Sequence, residues 1–471
     1  MELNRKQPGK NVFPGVVLSA LRGGAGKTVF SVGIIAALRQ LGRVIAPFKK
    51  GPDYIDAGWL QLASGEPCYN LDPFLMDTEV IKHSFERHSD SANMAIMEGN
   101  RGLFDGVNIE GAYSTAELAV ELKLPVLLVV DCTKTTRTIA ALVLGCQKFD
   151  PRVMISGVVL NRLGTARQES IVRQAVEHYT GIPVIGAVPR SKTDYFPQRH
   201  LGVTPHQEHD GAGQTTVMLA DMAKEHLDLD AIRNLMADVH PPEIDARPEA
   251  VSPVDKVHIG ILKDAAFQFY YPENLDALIN EGAELIEINA MTAEVLPELD
   301  ALYIGGGFPE TGARRLADNS SFRQSVKRAA QSGLPIYAEC GGLIYLGESI
   351  LLDGEEYPLT GVFPVRFGLQ KKPQAHGYTK LMVSGRNPFY KVGERIKGHE
   401  FRYSEILSWE GDQTDLAFEM ERGVGFMEGL DGLVYKNVLA LYTHVHALST
   451  PQWAGSLIAR ALEFKTQRQK A

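Results

Sequence analysis

Leu18-Ser19-Ala20-Leu21-Arg22-Gly23-Gly24-Ala25-Gly26-Lys27-Thr28 joins an apolar run to a glycine-rich turn and then to a stretch with helical periodicity. Residues 12–20 read as a buried strand. Residues 28–40 read as a helix that turns Val29, Ile34, Ile35 and Leu38 inward. At such a junction the backbone N–H groups wrap phosphate oxygens, and the helix N-terminus adds a favourable dipole. Gly23, Gly24, Ala25, Gly26, Lys27 and Thr28 are therefore the candidate ATP-binding residues, with Lys27 reaching the terminal phosphates and Thr28 offering its hydroxyl to Mg²⁺. Leu21 stands where the full pattern expects its first glycine. A plain strand–helix turn is the competing reading; the apolar strand before and the Gly-Lys-Thr junction weigh against it.

Working outward, further strands are expected at 43–47, 94–98, 125–130 and 155–160, with helices at 115–122 and 138–147 between them. This alternation predicts an α/β fold with a largely parallel sheet covered by helices. Residues 220–239 read as a helix, and 11–239 form the first domain. The segment 240–256 is rich in Pro, Asp and Glu, lacks periodicity and reads as a linker. A second α/β domain spans 257–466, with strands at 257–262, 301–304, 334–338 and 439–442. Hairpins and loops are expected between 359 and 410, a closing amphipathic helix at 453–464, and a frayed tail at 467–471.

Ligand sites in open α/β sheets form at the C-terminal ends of strands. Two such ends carry acids: Lys49-Lys50-Gly51-Pro52-Asp53-Tyr54-Ile55-Asp56 and Glu98-Gly99-Asn100-Arg101-Gly102-Leu103-Phe104-Asp105. Oxygen ligands beside phosphates suit Mg²⁺, so Thr28, Asp53 and Glu98 are its candidate ligands. Asp56 and Asp105 read either as site residues or as ordinary loop acids. Lys49 and Lys50 read as neutralising phosphate or a carboxylate substrate, or as a solvated pair.

Cys340 lies in Tyr337-Ala338-Glu339-Cys340-Gly341-Gly342, between an expected strand and a tight turn. A thiolate there is a strong nucleophile; an inert buried thiol is the alternative. Far downstream is Tyr442-Thr443-His444-Val445-His446. A Cys340–His444 pair fits thioester chemistry, with His444 taking the thiol proton and then protonating departing ammonia. His446 supports His444 or merely packs nearby. Gly306 and Gly307, in Gly305-Gly306-Gly307, are candidate oxyanion donors. No dense Cys/His spacing supports zinc.

The 471 residues are 44% hydrophobic and 22% charged, with 45 glycines, so the chain is globular and long enough for two or three cores. A net charge of -9 disfavours a broad nucleic-acid surface. No apolar run is long enough to span a membrane, and the first ten residues lack the apolar region of a secretory signal. Four cysteines make no disulfide framework. A reducing, cytoplasmic setting is expected, with no nucleic-acid or membrane partner; a homodimer stays open.

The chain resembles the cobyrinic acid a,c-diamide synthase family over nearly its whole length. The resemblance rests on an ordered set of motifs. They are the phosphate loop, Lys49 through Asp56, Asn70-Leu71-Asp72, Glu98 with Gly102 through Gly106, and Ser114-Thr115-Ala116. Then come Arg199-His200-Leu201-Gly202, Asp264 through Pro272, Gly305 through Glu310, Ala338 through Gly342, Gly398-His399-Glu400-Phe401, and Tyr442 through His446. It implies an N-terminal P-loop domain like dethiobiotin synthetase and a C-terminal domain like class I glutamine amidotransferases. Cys340 would attack glutamine, with His444 as base and acid; His446 stands where the class I triad has Glu. Asp53, Tyr54, Asp56, Glu98 and Asp105 match residues linked in the family to Mg²⁺, ATP or substrate activation. Asp53 and Asp105 fall in the catalytic group, and Lys49, Tyr54 and Asp56 in the substrate-binding group. The implied reaction amidates the a and c acetates of a cobyrinic-acid-like tetrapyrrole through acyl phosphates, with sirohaem and nickel-sirohydrochlorin as alternative substrates. Ammonia must reach the acyl phosphate before water does, which calls for a shielded path. A non-amidating P-loop ATPase switch is the rival reading, and it leaves Cys340 without a role.

Overall fold

The computed structural model describes residues 13–191, 195–196, 198–199, 202–239 and 256–470. The expectations for residues 1–12, for His200 and Leu201, for 240–255 and for Ala471 fall outside these. Two compact units, 1–247 and 248–471, have their own sheets and cores.

In the first unit, β1 (Phe13–Ala20), β2 (Ile45–Lys50), β3 (Tyr69–Leu71), β4 (Met94–Glu98), β5 (Val126–Asp131), β6 (Ile155–Leu163) and β7 (Val184–Pro189) form a sheet in the order β3-β2-β4-β1-β5-β6-β7. All these neighbours are parallel. Val126-Leu127-Leu128-Val129-Val130 is buried throughout, as a central strand with helices on both faces requires. The chain turns towards β2 after β1 but crosses to β5 after β4. The strands β1 and β4 therefore flank the point where the winding reverses, the usual place for a ligand crevice. Gly26 starts helix Lys27–Gln40 at φ 105, a left-handed value that side chains resist. That helix is buried from Phe30 to Leu38 because it is covered on more than one side.

The helix expected over 220–239 is interrupted. Helix Ala212–His226 ends, Asp228 accepts the Ala231 N–H and starts Leu229–Leu235, and Ala237–Val239 forms a strand antiparallel to the beginning of β1. The capping carboxylate and the long-range pairing override local helical periodicity.

The second unit's ten-stranded sheet has a parallel half: Ala283–Ile288, Val257–Leu262, Ala301–Ile304, Ile336–Glu339 and Val438–Leu441. The antiparallel half continues through Leu430–Tyr435, Leu416–Arg422, Ala375–Val383, Arg395–Arg402 and His444–Val445. Within 359–410, Ala375–Val383 and Arg395–Arg402 pair as a hairpin. The last helix, Gln452–Lys470, runs through the expected frayed tail. Lys465 donates to the Lys256 carbonyl at 2.5 Å, and Arg468 donates to the Leu299 carbonyl at 2.8 Å and to Asp300 at 3.0 Å. These contacts stitch the end of the chain to the strands that open the unit. No helix among the described residues is long and apolar enough to cross a membrane.

Helix Lys27–Gln40 meets Ala212–His226 through Gly33, where an added Cβ would lie 2.7 Å from the Leu219 carbonyl oxygen. Gly33→Val is expected to force these helices apart at a cost of about 1–3 kcal/mol. Scanning calorimetry checks this as a lower unfolding temperature for the first unit; an unchanged temperature contradicts it.

Candidate active site

In the first unit, three strand ends converge. β1 delivers the glycine turn, β2 delivers Lys49, and β4 delivers Glu98, which is Lys49's register partner. The Lys49 ammonium is buried and lies 2.7 Å from Asp56, 2.7 Å from Glu98 and 3.8 Å from Asp53. Burial opposes its charge, but Asp56, Glu98 and Asp53 outweigh that and hold its pKa well above the usual lysine value. Burial likewise opposes charge on Asp56, yet Lys49 holds that carboxyl below its ordinary value. Asp53 differs: desolvation of its carboxylate and the neighbouring Asp56 charge push it up to about 7. Burial also raises Glu98, which is fully enclosed, against the pull of Lys49.

The rest of the loop set is held by short bonds. Asp53 Oδ1 accepts the Asp56 N–H at 2.9 Å, at the start of helix Ile55–Ser64, for which Tyr54 is the N-cap. Asn70 donates to the Gly51 and Asp53 carbonyls at 2.8 and 3.0 Å. Thr28 donates to Glu98 Oε1 at 3.1 Å. Lys27 donates to the Arg101 carbonyl at 2.6 Å, and burial with the nearby Lys49 lowers its pKa. Asp105 accepts the Gly102 N–H at 2.8 Å and so shapes the loop beyond β4. Gly23 and Gly24 are exposed and Ala25 is buried.

Glu98 Oε2 is buried beside Thr28 with no hydrogen-bond partner among the described residues. That orphaned oxygen and the Thr28 hydroxyl fit a hard divalent cation such as Mg²⁺. No group of three or more His, Cys, Asp or Glu among the described residues forms a metal cage, so phosphate and water would supply the remaining ligands.

In the second unit the parallel strands again carry the reactive groups at their ends. Cys340 follows Ile336–Glu339 at φ 46 and precedes the short helix Gly341–Leu346. Its N–H donates to the Leu441 carbonyl at 2.8 Å, fixing the turn against the neighbouring strand. A non-glycine residue at this φ is strained, a frequent feature of functional turns. His444 follows the strand Val438–Leu441 and hydrogen-bonds with Cys340. Its Nδ1 lies 3.4 Å from Glu339 Oε2. Burial opposes an imidazolium here, but Cys340 and Glu339 raise the His444 pKa to about 9. An added Cβ on Gly306 would lie 2.4 Å from His444 Cε1, so only glycine leaves room for the ring. Gly307 N lies 3.0 Å from where a Gly341 Cβ would stand, which puts this backbone beside the cysteine turn.

His446 faces elsewhere. Its Nδ1 accepts the Leu448 N–H at 3.2 Å, and its Nε2 lies 3.5 Å from Glu273. Two neighbours of His444 escaped the sequence reading as site residues. Glu339 left one signal, a carboxylate ending a strand that is otherwise apolar. His399 pairs with His444 across antiparallel strands, and their rings stack at 4.8 Å; that pairing has no local signal.

Residues 16–202 match the CobQ/CobB/MinD/ParA nucleotide binding domain, and residues 258–452 match the CobB/CobQ-like glutamine amidotransferase domain. The chain is 41% identical to the cobyrinate a,c-diamide synthase of Magnetococcus marinus, over 94% of this chain and 96% of that protein. It is 38% identical to the proteins of the same name from Archaeoglobus fulgidus, over 96% and 98% of the two chains, and Methanothermobacter thermautotrophicus, over 95% and 100%.

Removing the Lys49 ammonium strands its carboxylates. Lys49→Met is expected to destabilise the first unit by about 3 kcal/mol at pH 7. Asp56, with its depressed pKa, contributes stability above its unfolded pKa and loses it as pH falls through the folded value. The deficit of the variant should therefore shrink once pH falls below the ordinary aspartate value of 3.8, which thermal melts at pH 7 and below that value will compare. The basic imidazole of His444 bonded to Cys340 also gives that thiol a distinct reactivity. Burial pushes Cys132 up to about 12 and raises Cys146. Iodoacetamide at neutral pH should therefore modify Cys340 ahead of both, read by peptide mass mapping.

Proposed function

The chain belongs to the cobyrinate a,c-diamide synthase family, and on that footing we propose that it amidates the a and c acetates of a cobyrinic-acid-like tetrapyrrole with ATP and glutamine. It is a carbon–nitrogen ligase that takes its nitrogen from glutamine. The observation that carries this reading is the pairing of Cys340, on a strained turn, with His444, in a chain that also carries the Thr28–Glu98 phosphate-loop site.

In the second unit Cys340 sulfur attacks the amide carbon of glutamine. His444 takes the thiol proton and passes it to the amide nitrogen, the C–N bond breaks, and ammonia leaves. Water then cleaves the thioester to glutamate. Backbone N–H groups at Gly306 and Gly307 are the proposed stabilisers of the oxyanion.

In the first unit a tetrapyrrole acetate oxygen attacks the γ-phosphorus of ATP and displaces ADP. This step is needed because a free carboxylate has no adequate leaving group for ammonia. Gly23 through Lys27 hold the phosphates. Thr28, Asp53 and Glu98 would hold Mg²⁺, which when bound offsets charge on the transferred phosphoryl group. Asp53, with its carboxyl near neutrality, and Tyr54 and Asp56 lie on the side proposed to receive the substrate. Lys49 acts by holding Asp53, Asp56 and Glu98 in register, and Asp105 by shaping the loop that follows β4. Ammonia then attacks the acyl carbon, phosphate departs, and the amide remains after proton loss. All four cysteines are free thiols, which suits the reducing cytoplasm proposed as its setting.

The test is to incubate the chain with ATP, Mg²⁺ and glutamine and, in parallel, cobyrinic acid, sirohaem or nickel-sirohydrochlorin, and to weigh the products. Two amides added to cobyrinic acid are expected; product only from another tetrapyrrole would reassign the substrate. Cys340→Ser should abolish glutamine-driven amidation and leave ammonia-driven amidation in place. Asp53→Asn should depress both by about 100-fold, the scale of a lost catalytic group. Equal loss of both activities in folded Cys340→Ser would contradict this division of labour.

A further inference from the structure

We infer that Glu339, one residue before the nucleophile, is the positioning carboxylate that orients His444 for glutamine cleavage. The inference rests on the glutaminase reading above and adds a residue to it. Glu339 is fully buried at the end of strand Ile336–Glu339. Its two oxygens have separate tasks. Oε1 accepts the Val445 N–H at 3.1 Å, which fixes the carboxylate against the strand bearing His444. Oε2 lies 3.4 Å from His444 Nδ1 and accepts the Tyr303 hydroxyl at 3.3 Å. With Nδ1 facing the carboxylate, Nε2 is the nitrogen left for the thiol. A base whose far nitrogen is held by a buried carboxylate keeps the correct tautomer and orientation.

The other groups around His444 do not offer that service. His399, on strand Arg395–Arg402, stacks flat on the ring rather than bonding its edge, and burial together with the His444 charge holds it well below the usual histidine range. It is a neutral aromatic plate. His446, on the same segment as His444, is engaged by the Leu448 N–H and Glu273. Tyr303, from the adjacent strand Ala301–Ile304, touches Glu339 rather than His444. Cys340 bonds with His444 and also donates to the Phe401 carbonyl at 3.9 Å.

The step balances without any added reagent. The Cys340 proton moves to Nε2 as the sulfur–carbon bond forms. The same proton moves to the amide nitrogen as the carbon–nitrogen bond breaks and ammonia leaves. Water then gives a proton to Nε2 and its oxygen to the thioester carbon, and glutamate departs as the thiol is restored. Glu339 exchanges no proton in these steps; its Oε2 stays 3.4 Å from Nδ1 and keeps the ring in place.

The test measures glutamate release from glutamine across a pH series in the full-length chain, comparing wild type, Glu339→Gln, Glu339→Asp and His446→Gln. Melting temperature and circular dichroism report folding. Glu339→Gln should lower kcat at least about 100-fold with KM within about threefold, on the precedent that a wrong tautomer costs about 10⁴. It should also move the pH limb that reports His444 to lower pH, because the carboxylate that favours the imidazolium is gone. Glu339→Asp keeps the charge but draws it back; it should lose about 10-fold and keep the limb near its wild-type position. His446→Gln should move neither quantity. A folded Glu339→Gln with kcat within about threefold of wild type, or with an unmoved limb, overturns the inference. Should that variant not fold, a folded Glu339→Asp with wild-type kcat overturns it, as does a loss confined to His446→Gln. Wild-type protein that releases no glutamate would instead overturn the amidotransferase reading itself.

Discussion

A parallel sheet gathers reactive groups at the C-terminal ends of its strands, and both units are organised by that constraint. In the first unit the ends of β1, β2 and β4 bring Thr28, Lys49 and Glu98 together. In the second, the ends of Ala301–Ile304, Ile336–Glu339 and Val438–Leu441 bring Gly306, Cys340 and His444 together. Neighbouring strand ends lie roughly 5 Å apart, so groups distant in sequence meet with little freedom of placement. The turns bear the cost: Gly26 and Cys340 both sit at left-handed φ, and only one of them is glycine.

The electrostatics of the two sites follow opposite logic. Around Lys49 one ammonium serves three carboxylates. It holds Asp56 firmly ionised and leaves Asp53 poised at about 7, so acids close in sequence acquire different properties. Around His444, Cys340 and Glu339 together raise the imidazole pKa to about 9 against the pull of burial, which makes it a stronger base. The first arrangement sets neighbouring acids apart; the second pairs a thiol with a basic imidazole.

Much of this was legible in the residues. Met94–Glu98 is a strand with the bounds its apolar run suggested, and Gly26-Lys27-Thr28 marked the start of a buried helix. Failures came where distant partners decide the outcome. Ala237–Val239 is a strand because it pairs with the first residues of β1, ahead of the β5 pairing, not because of its own pattern. Ala283–Ile288 carries Glu284 and Glu287 as a sheet-edge strand, so its apolar run is broken. The final helix persists past Phe464 because Arg468 finds Leu299 and Asp300. Glu339 and His444 are likewise separated by a hundred residues of other structure, and no local periodicity announces that a carboxylate will meet an imidazole.

The stitching of the last helix to the first strands of the second unit has a consequence for the history of such chains. Its Lys256 and Lys465 ends meet, so the unit begins and finishes at one seam. A module with adjoining ends can be spliced into, or separated from, another chain with little disturbance to its interior. The half that matches the glutamine amidotransferase domain is thus built as a portable part.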